Sequence, residues 1–242
     1  MSYFDIYKKR ANRYGIDYQS RVQGQRKKTF DLYLQKSIYL VEFEFDGANV
    51  EGSFERYKQD ETETLHYLLT RVSVEIPAGT VLMIPNKNGE LKPWMVYYLE
   101  NIKASGYNKY VMLKMSHFIT WRARDGQDYT SWAYMYGQEN NMLKDEIRSR
   151  SRMDTIYAEN LKSSFFVLPL NKNLRKDDYI IIPEEGERFQ EQYRVTGYDI
   201  QSSEGVEYVT IDPIYEFDLS PVPDKKEEDN DEDFFWFNGG VE

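Results

Sequence analysis

Thr80-Val81-Leu82-Met83-Ile84-Pro85 and, 98 positions further on, Asp178-Tyr179-Ile180-Ile181-Ile182-Pro183 are two short apolar runs, each closed by a proline. Four large apolar residues between turn-formers fit a short strand buried on both faces. Proline, which has no N–H for the ladder, marks the strand's end. The same offset carries outward without a gap. Ile102 falls on Ile200, Ser105 on Ser203, Tyr110 on Tyr208 and Val111 on Val209, with Gly106 beside Gly205. Upstream, Tyr67-Leu68-Leu69 meets Phe165-Phe166-Val167. Identities are few, but a kept loop length between several strands is harder to reach by accident than matched letters. The sequence therefore predicts that 67–121 and 165–219 share one fold. Pro85 and Pro183 should lie at equivalent strand ends, and Tyr110 and Tyr208 should point to equivalent sides.

A second echo precedes each copy. Tyr39, Val41, Phe43 and Phe45 alternate with Leu40, Glu42, Glu44 and Asp46, which is strand periodicity. Asp46-Gly47 then turns the chain toward a return run containing Val50, Ser53 and Phe54. His117 to Arg124, Asp125-Gly126 and Tyr129 to Tyr136 repeat the design, with Trp121 and Trp132 as cross-strand aromatics. Leu68 to Ile76, Trp94 to Leu99 and Tyr110 to Met115 add further short strands, with a turn at Asn86-Lys87-Asn88-Gly89. Short strands at this spacing indicate small barrels or sandwiches. The expected fold is mainly β: two tandem small barrel or sandwich units with long hairpins, a short N-terminal helical arm and a disordered acidic tail. The expected divisions are an arm at 1–36, a first unit with its hairpin at 37–137, a linker at 138–162, a second unit at 163–219 and a tail at 220–242.

The net charge of −10 is unevenly spread. Residues 1–36 hold nine Lys or Arg against three acids, and residues 224–242 hold eight acids against two lysines, so the body between carries about −10. In the arm, Phe4, Tyr7, Ala11 and Tyr14 recur at helical spacing among Lys8, Lys9, Arg10 and Arg13. Ser2 is a fitting N-cap and Gly15 a fitting stop. The stretch Gln19 to Gln35 is polar and mixed, so helix, turn and then extended chain are expected. Such an arm either docks on a partner or DNA, or caps its own domain. Arg26-Lys27-Lys28 before Phe30, Tyr33 and Leu34 could stack on single-stranded nucleic acid. The acidic body opposes that and favours a solvated helix face. At the other end, Ser220-Pro221-Val222-Pro223 is a stiff exit before an acidic stretch that ends in Phe234-Phe235-Trp236-Phe237. Four exposed aromatics are an aggregation liability unless a partner covers them. They are expected to dock in a groove on a neighbouring subunit or on the next protein of an assembly; the competing reading is a tail that packs back on its own barrel.

Composition removes most chemistry. The 242 residues are 40% hydrophobic and 16% aromatic, enough to build a core, but contain no cysteine and two histidines, His66 and His117. Disulfides, cysteine nucleophiles, iron–sulfur clusters and multi-histidine metal centres are excluded. No phosphate loop or nucleophile elbow occurs. Asp229, Asp231 and Asp233 resemble a calcium loop, but Phe234 replaces its glycine and Gly240 stands at the twelfth position. No catalytic residue, cofactor or metal is expected. The longest apolar runs are about four residues against the roughly 20 of a membrane helix, and the start lacks a signal peptide. A soluble, cytosolic product is expected.

Certain motifs resemble a family. Met1-Ser2-Tyr3-Phe4-Asp5-Ile6-Tyr7-Lys8-Lys9-Arg10 with Asn12-Arg13-Tyr14-Gly15 looks like the start of structural proteins of tailed phages and prophages of Gram-positive hosts. Glu55-Arg56-Tyr57-Lys58-Gln59-Asp60, Trp94-Met95-Val96, Gly106-Tyr107-Asn108-Lys109-Tyr110 and Thr120-Trp121-Arg122 extend the likeness over roughly residues 1–220. The family resembles head–tail connector (neck) components of adaptor or stopper type. The resemblance implies a non-enzymatic virion protein, made in the host cytoplasm, that forms a homo-oligomeric ring between portal and tail. Packaged DNA would pass along an acidic conduit without sequence-specific binding. The interface residues expected are Phe4, Tyr7, Tyr14, Phe234, Phe235, Trp236 and Phe237. The acidic tail departs from the family pattern. Two other readings remain, a carbohydrate- or surface-binding tail module and a glycan-cleaving enzyme with a carboxylate pair.

Overall fold

The computed structural model describes residues 3–11, 17–57, 63–100, 106–136, 165–170, 173–183, 191–199 and 205–214. Among these residues two helices, α1 (Tyr3–Ala11) and α2 (Tyr18–Lys36), precede twelve strands. These are β1 (Leu40–Phe45), β2 (Ala48–Arg56), β3 (Leu65–Arg71), β4 (Val81–Pro85), β5 (Leu91–Glu100) and β6 (Tyr107–Lys114), followed by β7 (His117–Arg122), β8 (Asp128–Tyr136), β9 (Phe165–Pro169), β10 (Tyr179–Ile182), β11 (Glu191–Asp199) and β12 (Val206–Pro213). The first six form an antiparallel sheet in the order β1-β2-β3-β6-β5-β4. Its end strands β1 and β4 lie side by side without a ladder, so the sheet curls into a barrel with one open seam. The second six close fully, and from β7 the order is β7-β8-β9-β12-β11-β10. Strand for strand, that is the order of the first unit.

The duplication is therefore real, and the ladders refine its offset. Val81 pairs with Met95, and Tyr179 with Arg194. Tyr67 pairs with Val111, and Phe165 with Thr210. Strands β3 and β4 thus map onto β9 and β10 at 98, whereas β5 and β6 map onto β11 and β12 at 99. Each unit also has a bulge in the same place, skipping Tyr97 in the first and Thr196 in the second. One extra residue lies in the connection from β10 to β11. Pro85 and Pro183 do sit at equivalent strand ends, as expected. Tyr110 and Tyr208 do not match: the counterpart of Tyr110 is Val209. A one-residue slip exchanges the faces of a strand, so Tyr110 points into its own barrel and Tyr208 points out of its own.

Strand pairing also moves the division placed at 137. The hairpin β7–β8 belongs to the second unit, because β7 pairs with β10 and β8 with β9. The boundary falls at Met115-Ser116, between β6 and β7. Within this hairpin Phe118 stands against Trp132 edge to face at 5.1 Å, and Trp121 stacks on Tyr129 at 5.9 Å. The expected linker at 138–162 and tail at 220–242 lie outside the described residues.

Three buried layers result. Phe43, Leu68, Ile84, Trp94, Tyr110 and Met112 fill the first barrel. Ile119, Trp121, Phe166, Ile180, Val209 and Ile211 fill the second. Between them lies a third core, with Leu65, Tyr97, Val111 and Leu113 from one side and Phe165, Val167, Val206 and Tyr208 from the other. This explains why β6 and β9 read as continuous apolar runs: Tyr110-Val111-Met112-Leu113 and Phe165-Phe166-Val167-Leu168 are buried on both faces. Gly79 and Gly205 bring the two units' backbones together. Both have positive φ, and a Cβ on Gly79 would lie 1.8 Å from the Gly205 carbonyl oxygen.

The extended chain expected after Gly15 is instead the 19-residue helix α2. Its start is a capping box: the Asp17 carboxylate accepts the Ser20 N–H at 2.8 Å, and the Ser20 hydroxyl oxygen accepts the Asp17 N–H at 3.2 Å. Tertiary contact supplies the rest. Phe30 and Leu34, one turn apart, are buried against Leu69 and Tyr107 on the outer face of the first barrel. The Phe30 and Tyr107 rings stack at 4.9 Å. Arg71 ties the helix down, its guanidinium donating to Asp31 of α2 at 2.8 Å and to Glu51 of β2 at 2.9 Å. Those two carboxylates hold the guanidinium above the usual arginine range.

Candidate functional site

Of the residues expected at an interface, Phe4 and Tyr7 lie on α1, and their side chains are 64% and 62% exposed. Tyr3 and Ile6 join them, at 84% and 40%. Positions 3, 6 and 7 share one helical face, with Phe4 at its edge, so the short helix carries an apolar face turned to solvent. Lys8 sits 5.4 Å from the centre of the Phe4 ring. Ile38, Tyr39 and Leu40, where α2 hands over to edge strand β1, are also exposed. Tyr14, Phe234, Phe235, Trp236 and Phe237 lie outside the described residues, as do the expected cap Ser2 and stop Gly15.

A groove of about 620 Å³ opens between α2 and the first barrel. Val22, Arg26, Thr29 and Phe30 line it from the helix, and Tyr107 lies on the sheet side. At one end Tyr33 donates to the Glu55 carboxylate and lies 3.2 Å from the Ser53 hydroxyl. These partners come from segments far apart in the chain, so sequence reading did not assemble the groove. The only signal was Phe30 and Leu34 at i, i+4 beside the basic triplet. Phe30 and Leu34 are buried between the helix and the sheet, with Phe30 still bordering the groove, while Arg26, Lys27 and Lys28 remain exposed.

The two histidines sit in different surroundings. The His66 ring stacks on Phe54 at 4.7 Å and meets Trp94 edge-on at 4.6 Å. His117 shares a 2.6 Å hydrogen bond between its Nδ1 and the Ser116 hydroxyl. Burial holds its imidazole below the ordinary histidine value, leaving it neutral at pH 7. Among the described residues two carboxylates are deeply buried, Asp178 and Glu207. Asp178 accepts the Arg175 N–H at 2.7 Å, which closes a turn before β10. Exposed Asp128 is kept below the usual carboxylate range by its hydrogen bond from Arg122. Among the described residues no three His, Asp or Glu side chains gather as a metal site, and no helix is long and apolar enough to cross a membrane.

No protein-family description matches this chain, and no curated protein does. Solved structures of MrkH from K. pneumonia are similar at low levels. The apo form has 13% identity and a TM-score of 0.24, covering 79% of this chain and 84% of that one. The c-di-GMP complex has 12% identity and a TM-score of 0.26, covering 79% and 86%. MrkH is described as a c-di-GMP-dependent transcription regulatory factor. At these scores the likeness carries no argument about this chain.

Proposed function

We propose that this protein is a non-enzymatic structural component that assembles into a ring, as the resemblance to phage head–tail connector proteins implies. One observation carries the reading: α1 turns Tyr3, Phe4, Ile6 and Tyr7 to solvent on the most basic segment of an otherwise acidic chain. An apolar face left in water costs free energy that a partner recovers. The partner is a second copy, because the basic arm complements the acidic body that every copy carries. In a closed cyclic assembly each subunit gives its arm to one neighbour and receives another. The virion neck would be the setting, with portal and tail proteins above and below and DNA passing an acidic wall.

Velocity sedimentation of the full chain over a range of concentrations tests this. Self-association that weakens when Phe4 and Tyr7 are both replaced by serine, with unfolding unchanged, is the expected result. A wild-type chain that stays monomeric both alone and with neck components, or that binds anionic vesicles in place of itself, would sink the reading.

A further inference from the structure

We propose that the groove between α2 and the first barrel seats the aromatic C-terminal segment Phe234-Phe235-Trp236-Phe237 of its own chain, steered there by α2's cations acting on the acids that precede the segment. Three observations converge. The groove's 620 Å³ lies within the ~300–1,000 Å³ of pockets that take drug-sized ligands. Its apolar lining, Val22, Phe30 and Tyr107, suits aromatic rings.

Charge is the second. Helix α2 carries Arg21, Arg26, Lys27, Lys28 and Lys36 against the single acid Asp31, whose carboxylate is already bonded to Arg71. The ten residues before Phe234 hold seven acids and two lysines. The signs are opposite, and Arg26 stands on the groove's wall.

Reach is the third. Phe234 lies 20 residues beyond Ile214, the last described residue. Twenty residues span up to about 65 Å when extended, against a radius of gyration of about 18 Å for a globule of this length. A tether that reaches its site presents its end at an effective concentration in the ~mM range. The same chain's segment therefore outcompetes a segment from another molecule at ordinary concentrations. The proposal is independent of the ring.

The test titrates a fluorescein-labelled peptide of residues 224–242 into two full-length proteins, wild type and a variant with all four aromatics replaced by serine. The serine variant, its groove vacated, should capture the peptide saturably. The wild type should bind it about tenfold more weakly or worse, because its own segment competes. Adding Val22→Glu and Arg26→Glu to the serine variant should abolish capture without shifting its urea unfolding midpoint. Equal capture by both proteins, no capture by the serine variant, or capture that survives the groove substitutions each overturns the proposal. A wild type that self-associates where the serine variant does not would assign the occupant to a second copy, and the proposal falls.

Discussion

The hydroxyl oxygens of Tyr97 and Tyr208 lie 2.6 Å apart, joining residues 111 positions distant in the chain. Both side chains are buried in the core between the barrels. Tyr97 is the residue skipped by the bulge in the first unit, and a bulge re-aims the side chain it carries. The bond is thus a polar pin through an apolar interface. Tyr97→Phe and Tyr208→Phe should each cost about 0.5–1.5 kcal/mol. The double variant should lose less than the sum, since the second change removes a bond already broken. Urea unfolding of the four proteins measures the coupling, and strict additivity would dissolve the pin.

Gly79 and Gly205 are predicted to tolerate no side chain. At Gly205 a Cβ would lie 2.1 Å from the Ala78 carbonyl oxygen, and φ is positive at both sites. Backbone strain of this kind alone costs about 1–3 kcal/mol, and the barrels must also separate. Gly79→Ala and Gly205→Ala should each lower the unfolding midpoint strongly. A near-neutral result would place the units further apart than described.

His117 gives a pH dependence whose sign is determined. Its folded value is lowered, so on acidification the unfolded chain takes up the proton first. Stability is full above the unfolded pKa, about 6.5, and falls as pH drops from there toward the folded value. His117→Gln should flatten that part of the stability profile. Unfolding of wild type and variant between neutral and mildly acidic pH measures it, and unchanged slopes would refute the assignment.

The Asp31–Arg71–Glu51 bridge should hold α2 only modestly. Its side chains are roughly 40–46% exposed, where an ion pair contributes about 0–1 kcal/mol and salt screens it. Asp31→Asn should reduce stability by an amount in that range that shrinks at high salt. Phe30→Ala, which empties part of the helix's buried face, should cost about 3–5 kcal/mol. Should the polar change prove the costlier, charge rather than packing seats the helix.

Much of the architecture was legible because strands write their burial into the sequence. The proline-ended runs at 81–85 and 179–183 located the repeat, and Asp46-Gly47 and Asp125-Gly126 marked both hairpins. Other features were not. The extra residue between β10 and β11 falls where no apolar pattern registers it, so Tyr110 and Tyr208 looked equivalent. Helix α2 buries only Phe30 and Leu34, too few to give a clear helical period, and its capping box uses Ser20 where Glu or Gln is the readable signal. The exposed face of α1 was visible in the spacing of Phe4 and Tyr7, because a nine-residue helix hides little. The groove was not, since the Tyr107 and Glu55 that border it lie on strands separated from α2 by other elements.

The core between the barrels also has a consequence for synthesis of the chain. Leu65, Val111 and Leu113 are covered by Val206 and Tyr208, and Tyr208 is made 95 residues after Leu113. At a translation rate of ~5–20 residues per second, about 5–20 s pass between those events. Throughout that interval the nascent first barrel presents a greasy flank beside the ribosome, with its covering strand β12 still unmade. A stall before codon 206 would strand the barrel in that sticky, half-dressed state.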